Sequence, residues 1–231
     1  MSIVGMDADI PAGRVVVVID VIRAFTTAAV AFERGVAEIA CAPSVEAGRE
    51  LRRRYPERLL VGETRGLKPA DFDFGNSPLE LSTARLDGRR LIQATSNGTR
   101  GLARCPDPAA LLAVSAVNVG ATARWIAHNH PGTPWTLLCT GRSAEDWACA
   151  RYLGELLAGS APEPADLVAG IMAGAAEQAR SHAGRPEAER VDLSGDLGFC
   201  CEVDRCEFAM VGELAPGHVV LRQVQPGRNP G

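Results

Sequence analysis

Four short segments of the 231-residue chain pair an arginine with small polar residues, and three of them add a carboxylate. They are Asp20-Val21-Ile22-Arg23-Ala24-Phe25-Thr26-Thr27, Gly62-Glu63-Thr64-Arg65-Gly66, Thr95-Ser96-Asn97-Gly98-Thr99-Arg100, and Cys139-Thr140-Gly141-Arg142 followed by Glu145-Asp146. A guanidinium binds phosphate, sulfonate or carboxylate through two charge-assisted bonds. Four arginines (Arg23, Arg65, Arg100, Arg142) exceed what one phosphate needs and suit a ligand with two or three anionic groups. The acids Asp20, Glu63, Glu145 and Asp146 are hard oxygen donors of the kind Mg²⁺ takes, one or two at a time beside water and phosphate oxygens. Capping of the following helix is the competing explanation for Asp20 and for the Glu145-Asp146 pair.

Each of these segments follows an apolar run of strand length. Val15 to Ile19 is a continuous β-branched stretch, the pattern of a strand covered on both faces. Further strands are expected at Val36 to Ala40, Leu59 to Val61, Arg90 to Thr95, Leu111 to Val114 and Trp135 to Cys139. Helices are expected from Ala24 to Glu33 (stopped by Gly35), Ser44 to about Arg54, Asn118 to about His128, and Ser143 to Ala158. Strand and helix alternate, so the fold class is α/β with a mostly parallel sheet flanked by helices. In such sheets ligands gather beyond the carboxyl ends of the strands, which would bring the four segments to one site. Leu67 to Pro78 is expected as a loop. After Pro162 the pattern changes to an Ala- and Gly-rich helix reaching about Ala183, then short strand signals near Ala209 and Val219. This divides the chain into a main α/β domain over 1–160 and a smaller mixed α/β part over 161–231.

Composition narrows the function. A formal charge of −4 argues against nucleic acid as a partner, and local arginines must attract any anion against the overall field. No segment reads as a signal peptide or a membrane span, and the seven scattered cysteines read as reduced thiols, so the expected location is the cytoplasm. Neither G-x-x-x-x-G-K-[ST] nor G-x-G-x-x-G is present at the strand ends. Asp73-Phe74-Gly75 stands without other kinase motifs, His128 and His130 read as helix-end residues, and Cys139 reads as a small buried residue.

Taken in order, the blocks Val17 to Thr27, Gly62-Glu63, Phe72 to Pro78, Thr95 to Arg100, Asn118, and Cys139-Thr140-Gly141 with Glu145-Asp146 resemble the 2-phosphosulfolactate phosphatase family. The resemblance implies a Mg²⁺-dependent phosphatase acting on 2-phospho-3-sulfolactate, a small acid carrying phosphate, sulfonate and carboxylate. It implies catalytic roles for Asp20, Arg23, Glu63, Arg65 and Asp146, and metal binding by Asp20, Glu63 and Glu145. Substrate contacts fall to Thr26, Thr27, Asn76, Ser96, Asn97, Gly98, Thr99, Arg100, Asn118, Gly141 and Arg142, and a homo-oligomer, favouring a dimer, is expected. The segment from Gly141 to Glu145 is shorter than is usual in the family, which keeps a different phosphorylated acid open as substrate. A non-catalytic anion sensor is the reading of another class, and the retained acids speak against it.

Overall fold

A computed structural model of the chain describes residues 2–227; Met1 and residues 228–231 lie outside the described residues. The expected α/β class is what it shows. The strands are β1 (Ser2–Gly5), β2 (Val15–Ile19), β3 (Glu38–Ala42), β4 (Leu59–Gly62), β5 (Phe74–Gly75), β6 (Arg90–Ala94), β7 (Ala110–Val114), β8 (Trp135–Cys139), β9 (Ala209–Ala215) and β10 (His218–Val224). The helices are α1 (Ala24–Glu33), α2 (Val45–Arg54), α3 (Pro78–Ser82), α4 (Gly98–Ala103), α5 (Val119–Asn129), α6 (Ala144–Leu157), α7 (Pro164–His182) and α8 (Ser194–Cys200).

All ten strands form one sheet in the order β1-β8-β2-β7-β9-β10-β3-β6-β4-β5. Two parallel blocks flank an antiparallel hairpin. β1, β8, β2 and β7 run one way, and β3, β6, β4 and β5 run the other. The hairpin joins them, β9 antiparallel to β7 and β10 antiparallel to β3. The C-terminal strands thus stand in the middle of the sheet.

Alternating side chains build three apolar layers. Val16 and Val18 of β2, Ile39 of β3, Val61 of β4 and Leu221 of β10 point inward against Phe25 and Phe32 of α1 and Leu102 of α4. Val15, Val17 and Ile19 point the other way, toward Trp125 of α5, Leu153 of α6 and Ile171 of α7. On the second block Ala40, Leu60 and Ile92 pack outward against Leu51 of α2. One curved sheet therefore wraps α1 and α4, with Leu81 of α3 on the same side, and carries α2, α5, α6 and α7 on its other face. Burial on both faces is why Val15 to Ile19 carries no polar residue.

That curvature positions the site. β2 and β6 are five ladder steps apart and run in opposite directions along the sheet. At roughly 20–25° of twist per step the accumulated rotation exceeds about 100°, which lets the carboxyl ends of both blocks converge. The close approach of Gly98 to Asp20 shows the convergence. A Cβ on Gly98 would lie 2.8 Å from Asp20 Oδ2 and 2.7 Å from Ala24 Cβ, so only glycine lets the start of α4 sit against the end of β2.

Three local expectations shift. The strand expected at Val36 to Ala40 runs instead from Glu38 to Ala42, pairing Glu38 with Arg90 and Ala42 with Ala94 of β6. The expected loop from Leu67 to Pro78 contains the two-residue strand β5 and ends in α3, whose start is the Ser77-Pro78-Leu79-Glu80 sequence. The Ser77 hydroxyl accepts from Glu80 N, and proline fills the first helical turn. Ser2 to Gly5 is an edge strand on β8 that its short apolar run did not announce.

Candidate active site

The strand-end segments line a single cavity of about 550 Å³, together with α7 and the segment after it. Its floor is acidic. Asp20 ends β2, and its Oδ1 accepts from Ala24 N (2.9 Å) at the start of α1. Asp146, in the first turn of α6, accepts at Oδ1 from Val21 N (2.9 Å) and at Oδ2 from Gly141 N (2.7 Å). Between the two stands the Thr140 hydroxyl, 3.2 Å from Asp20 Oδ2 and 3.4 Å from Asp146 Oδ2. A hydroxyl has one proton to give, so it cannot satisfy both oxygens at once. Both carboxylates are buried. Burial raises Asp20 to about 6, helped by the charges of Glu63 and Glu145. Burial also pushes Asp146 well above the ordinary carboxylate range, reinforced by Asp20 and Glu145. Two buried acids with one proton donor between them form a site short of positive charge.

Glu63, just past β4, differs. Its Oε1 accepts from Ser96 N (2.6 Å), and its Oε2 accepts from Gly66 N (2.5 Å) and the Ser96 hydroxyl (3.1 Å). It ties the β4 turn to the β6 turn. The preceding Gly62 has φ +150°, and a side chain there would collide with the carbonyl of Ala94. Glu145 is buried in the contact between α6 and α7, with Oε1 accepting from the Ser143 hydroxyl (2.7 Å) and Gln178 Nε2 (2.8 Å). Its Oε2 lies against Gly174 without a hydrogen-bond partner.

The basic groups sit at the walls and rim. Arg23 is buried, its Nη1 donating to Asp196 Oδ2 (2.5 Å) and its Nη2 to the carbonyl of Gly66 (3.1 Å). Arg65 occupies the left-handed region at φ +55°, inside a tight turn closed by paired bonds between Thr64 and Leu67. Its side chain and that of Arg185 both face the cavity and an adjoining recess. Arg142 is almost fully exposed, and Asp7, equally exposed, is 3.8 Å away, so solvent screens the pair. Asn76 is buried at the wall with no partner for Oδ1, and Ser96, Asn97 and Gly141 complete the lining.

Other residues expected at the site stand behind it or beside it. The Thr26 hydroxyl donates to Val21 O (2.7 Å), and Thr99 is bonded to Thr95 through backbone and side chain. Thr27 is wholly buried in α1. Asn118 caps the turn before α5, accepting from Ser115 N (3.0 Å) and donating to Ala113 O (3.3 Å). Arg100 faces a neighbouring cavity of about 700 Å³ that shares Asn97, Thr140, Gly141 and Arg142 with the first.

One wall was not foreseen. Glu177, Gln178, Ser181, His182 and Arg185 of α7 and its end, with Val191 and Leu193, close the cavity on the side facing Asp20. Ala144 N donates to Glu177 Oε2 (3.1 Å), which fastens α7 to the start of α6. Asp196 of α8, the ion-pair partner of Arg23, was also missed. The sequence signal available for it was indirect: a buried arginine needs a buried acid.

The family model described as 2-phosphosulpholactate phosphatase matches residues 5–214. The chain belongs to that family. Relatives named probable 2-phosphosulfolactate phosphatase include one from Synechocystis, 38% identical over 61% of each chain. One from Thermus thermophilus is 34% identical over 82% of this chain and 84% of its own. One from Synechococcus is 32% identical over 91% of this chain and 89% of its own. The chain spans about three fifths of the length of the Synechocystis relative. The family match extends over the four strand-end segments, over all of α7 and over Asp196, so the unforeseen wall is part of the same homologous unit.

The acid pair also tests the expected metal. Among the described residues no group of three or more His, Cys, Asp or Glu side chains is arranged to hold an ion. An all-protein cage is therefore not what this site offers. Mg²⁺ does not need one, since it keeps several waters and accepts one or two carboxylates. Asp20, whose Oδ2 meets only the shared Thr140 hydroxyl, fits that pattern, with Asp146 beside it although Val21 N and Gly141 N each hold one of its oxygens. Glu63 has both oxygens engaged by Ser96 and Gly66, and Glu145 is held by Ser143 and Gln178 through Oε1 while its unpartnered Oε2 is buried against Gly174.

Proposed function

We propose that the chain is a Mg²⁺-dependent phosphatase that hydrolyses the phosphate ester of a small anionic 2-hydroxy acid, namely 2-phospho-3-sulfolactate to 3-sulfolactate and phosphate. The observation carrying this reading is the charge layout of the cavity, with buried acids at the floor beneath arginines at the walls and rim. An anion alone would be repelled by Asp20 and Asp146, so the layout suits an anion and a divalent cation together. The names of the relatives agree with it.

Asp20 and Asp146 would hold the cation, which supplies charge neutralisation at the phosphoryl oxygens and a more acidic water. The chain's own residues then place the ester. Ser96, Asn97 and the backbone around Gly141 line the region beside the acids where the phosphate would sit. Arg65, Arg185 and Arg142 stand farther out, suited to the carboxylate and sulfonate. Attack of water on phosphorus breaks the P–O bond to the substrate carbon chain. The water proton passes to a carboxylate of the floor, and that carboxyl gives it on to the departing alkoxide, which leaves as the alcohol. Positioning and electrostatics do most of the work in such transfers.

Among the described residues no helix is long and apolar enough to cross a membrane. All seven cysteines are free thiols, six of them buried, which supports a reducing compartment such as the cytoplasm. The deciding experiment is phosphate release from a panel of phospho-acids, with and without a sulfonate, in Mg²⁺ and in chelator. Release that requires Mg²⁺ and prefers 2-phosphosulfolactate supports the reading. Preference for another phospho-acid would move the substrate and keep the reaction, whereas no release from any ester would leave an anion-binding protein. Trapping phosphate on the protein in a single turnover would replace direct water attack by an aspartyl-phosphate route.

A further inference from the structure

Arg23 and Asp196 are 173 residues apart in sequence and form the buried ion pair of the cavity wall. Each keeps less than a tenth of its side-chain surface exposed. Asp196 is fully engaged. Its Oδ2 accepts from Arg23, and its Oδ1 accepts from the Ser77 hydroxyl (2.6 Å) and from Leu79 N (3.1 Å). It thereby joins α8 to the start of α3 and to the segment after β2. Arg23 is only partly engaged. Of its five N–H groups one goes to Asp196 and one to Gly66 O. Its Nε takes part in no hydrogen bond among the described residues, and Arg23 lines the cavity.

We infer that Asp196 is the positioning residue of the site: it fixes Arg23 with its unused N–H groups turned toward the bound phosphoryl group. This rests on the phosphatase reading. An arginine on a flexible stem reaches an anion only after losing rotamer freedom, and a carboxylate behind it removes that freedom in advance. The anchor is built for the task, because Ser77 and Leu79 hold the carboxylate from the side away from Arg23. Asp196 touches no substrate itself and acts through Arg23 alone.

The test is a double-mutant cycle on Asp196→Asn and Arg23→Ala, with kcat and KM read for the phospho-acid that the chain hydrolyses best. Asp196→Asn should lower kcat about 10- to 100-fold, the scale of a misplaced catalytic contact, with KM moved much less. In the Arg23→Ala background the same substitution should change kcat less than about twofold. Losses that multiply would overturn the inference and mark Asp196 as a general structural residue. An unchanged kcat in Asp196→Asn would overturn it as well. Should Asp196→Asn fail to fold, Ser77→Ala removes one anchor and keeps the ion pair. It should give a smaller kcat loss that again vanishes without Arg23, and a loss that persists there counts against the inference. Calorimetric binding of inorganic phosphate in Mg²⁺ repeats the cycle without turnover. Coupled losses of phosphate affinity in a chain that hydrolyses nothing would uphold the inference while the phosphatase reading falls.

Discussion

Asp20 and Glu63 occupy equivalent places, each an acid just past a parallel strand, yet the two blocks of the sheet use them differently. Glu63 receives three hydrogen bonds from two turns and holds those turns together. Asp20 receives one backbone bond and half a claim on the Thr140 proton, with Asp146 as a second acid beside it. Position in the fold does not separate a structural acid from a reactive one. The donors around each carboxylate do: Glu63, with three, ties two turns together, and Asp20, with one and a shared hydroxyl, is the acid to which we assign the proposed cation.

The comparison breaks first at Asp146. Asp146→Asn should cost about 10²- to 10³-fold in kcat, the loss typical of a principal electrostatic contributor. A variant within fivefold of the parent would move the chemistry elsewhere. Glu63→Gln replaces an acceptor oxygen by a donor that must face Ser96 N or Gly66 N, so it should cost about 2 kcal/mol of stability. Chemical denaturation reads that directly, and an unchanged midpoint would remove the strut role.

Asp20 should respond in the opposite sense without metal. Its carboxyl lies near 6 in the folded chain against 3.8 ordinarily, so the folded state binds the extra proton in that interval. Metal-free stability therefore falls as pH rises from about 4 through about 6, and Asp20→Asn, which has no charge to bury, should flatten the fall. At pH 7 the variant should be the more stable by an amount on the order of 1–3 kcal/mol. Added Mg²⁺ should stabilise the parent and not the variant. Denaturant curves across pH with chelator decide it, and a parent whose stability rises over that interval would contradict the assignment.

The rim gives the smallest effects. Arg185→Ala should raise KM about tenfold for a substrate with a second anion and leave kcat nearly unchanged. For exposed Arg142 the rise should be under about threefold. Steady-state kinetics on substrates with and without the sulfonate separate the two.

Much of this was legible beforehand because it rests on local rules. Val15 to Ile19, buried on both faces, could only be an inner strand, and an acid at its end had to face a site or a cap. Asp20 does both. Some expected contacts look different once placed in the fold. Thr26, Thr99 and Asn118, expected as substrate contacts, hydrogen-bond the backbone next to them, as short hydroxyl and amide side chains beside strand ends also do. What no local rule carried was the wall of α7 and the partner of Arg23. Those depend on which distant helix the curved sheet presses against the site, and Ala- and Gly-rich helical sequence leaves that undetermined.

The placement of β9 and β10 bears on how the molecule comes into being on the ribosome. β7 is already laddered to β2 and β3 to β6, but their facing edges, Leu111 to Ala113 and Ile39 to Cys41, find partners in residues 209–224. Until that hairpin is synthesised, the nascent chain carries two half-sheets with bare inner edges, each able to recruit a foreign strand. The converged site, which draws on both halves, cannot form before then. Closure of the sheet thus waits on strands that are made after both half-sheets, which puts the slow, long-range pairings at the end of its assembly.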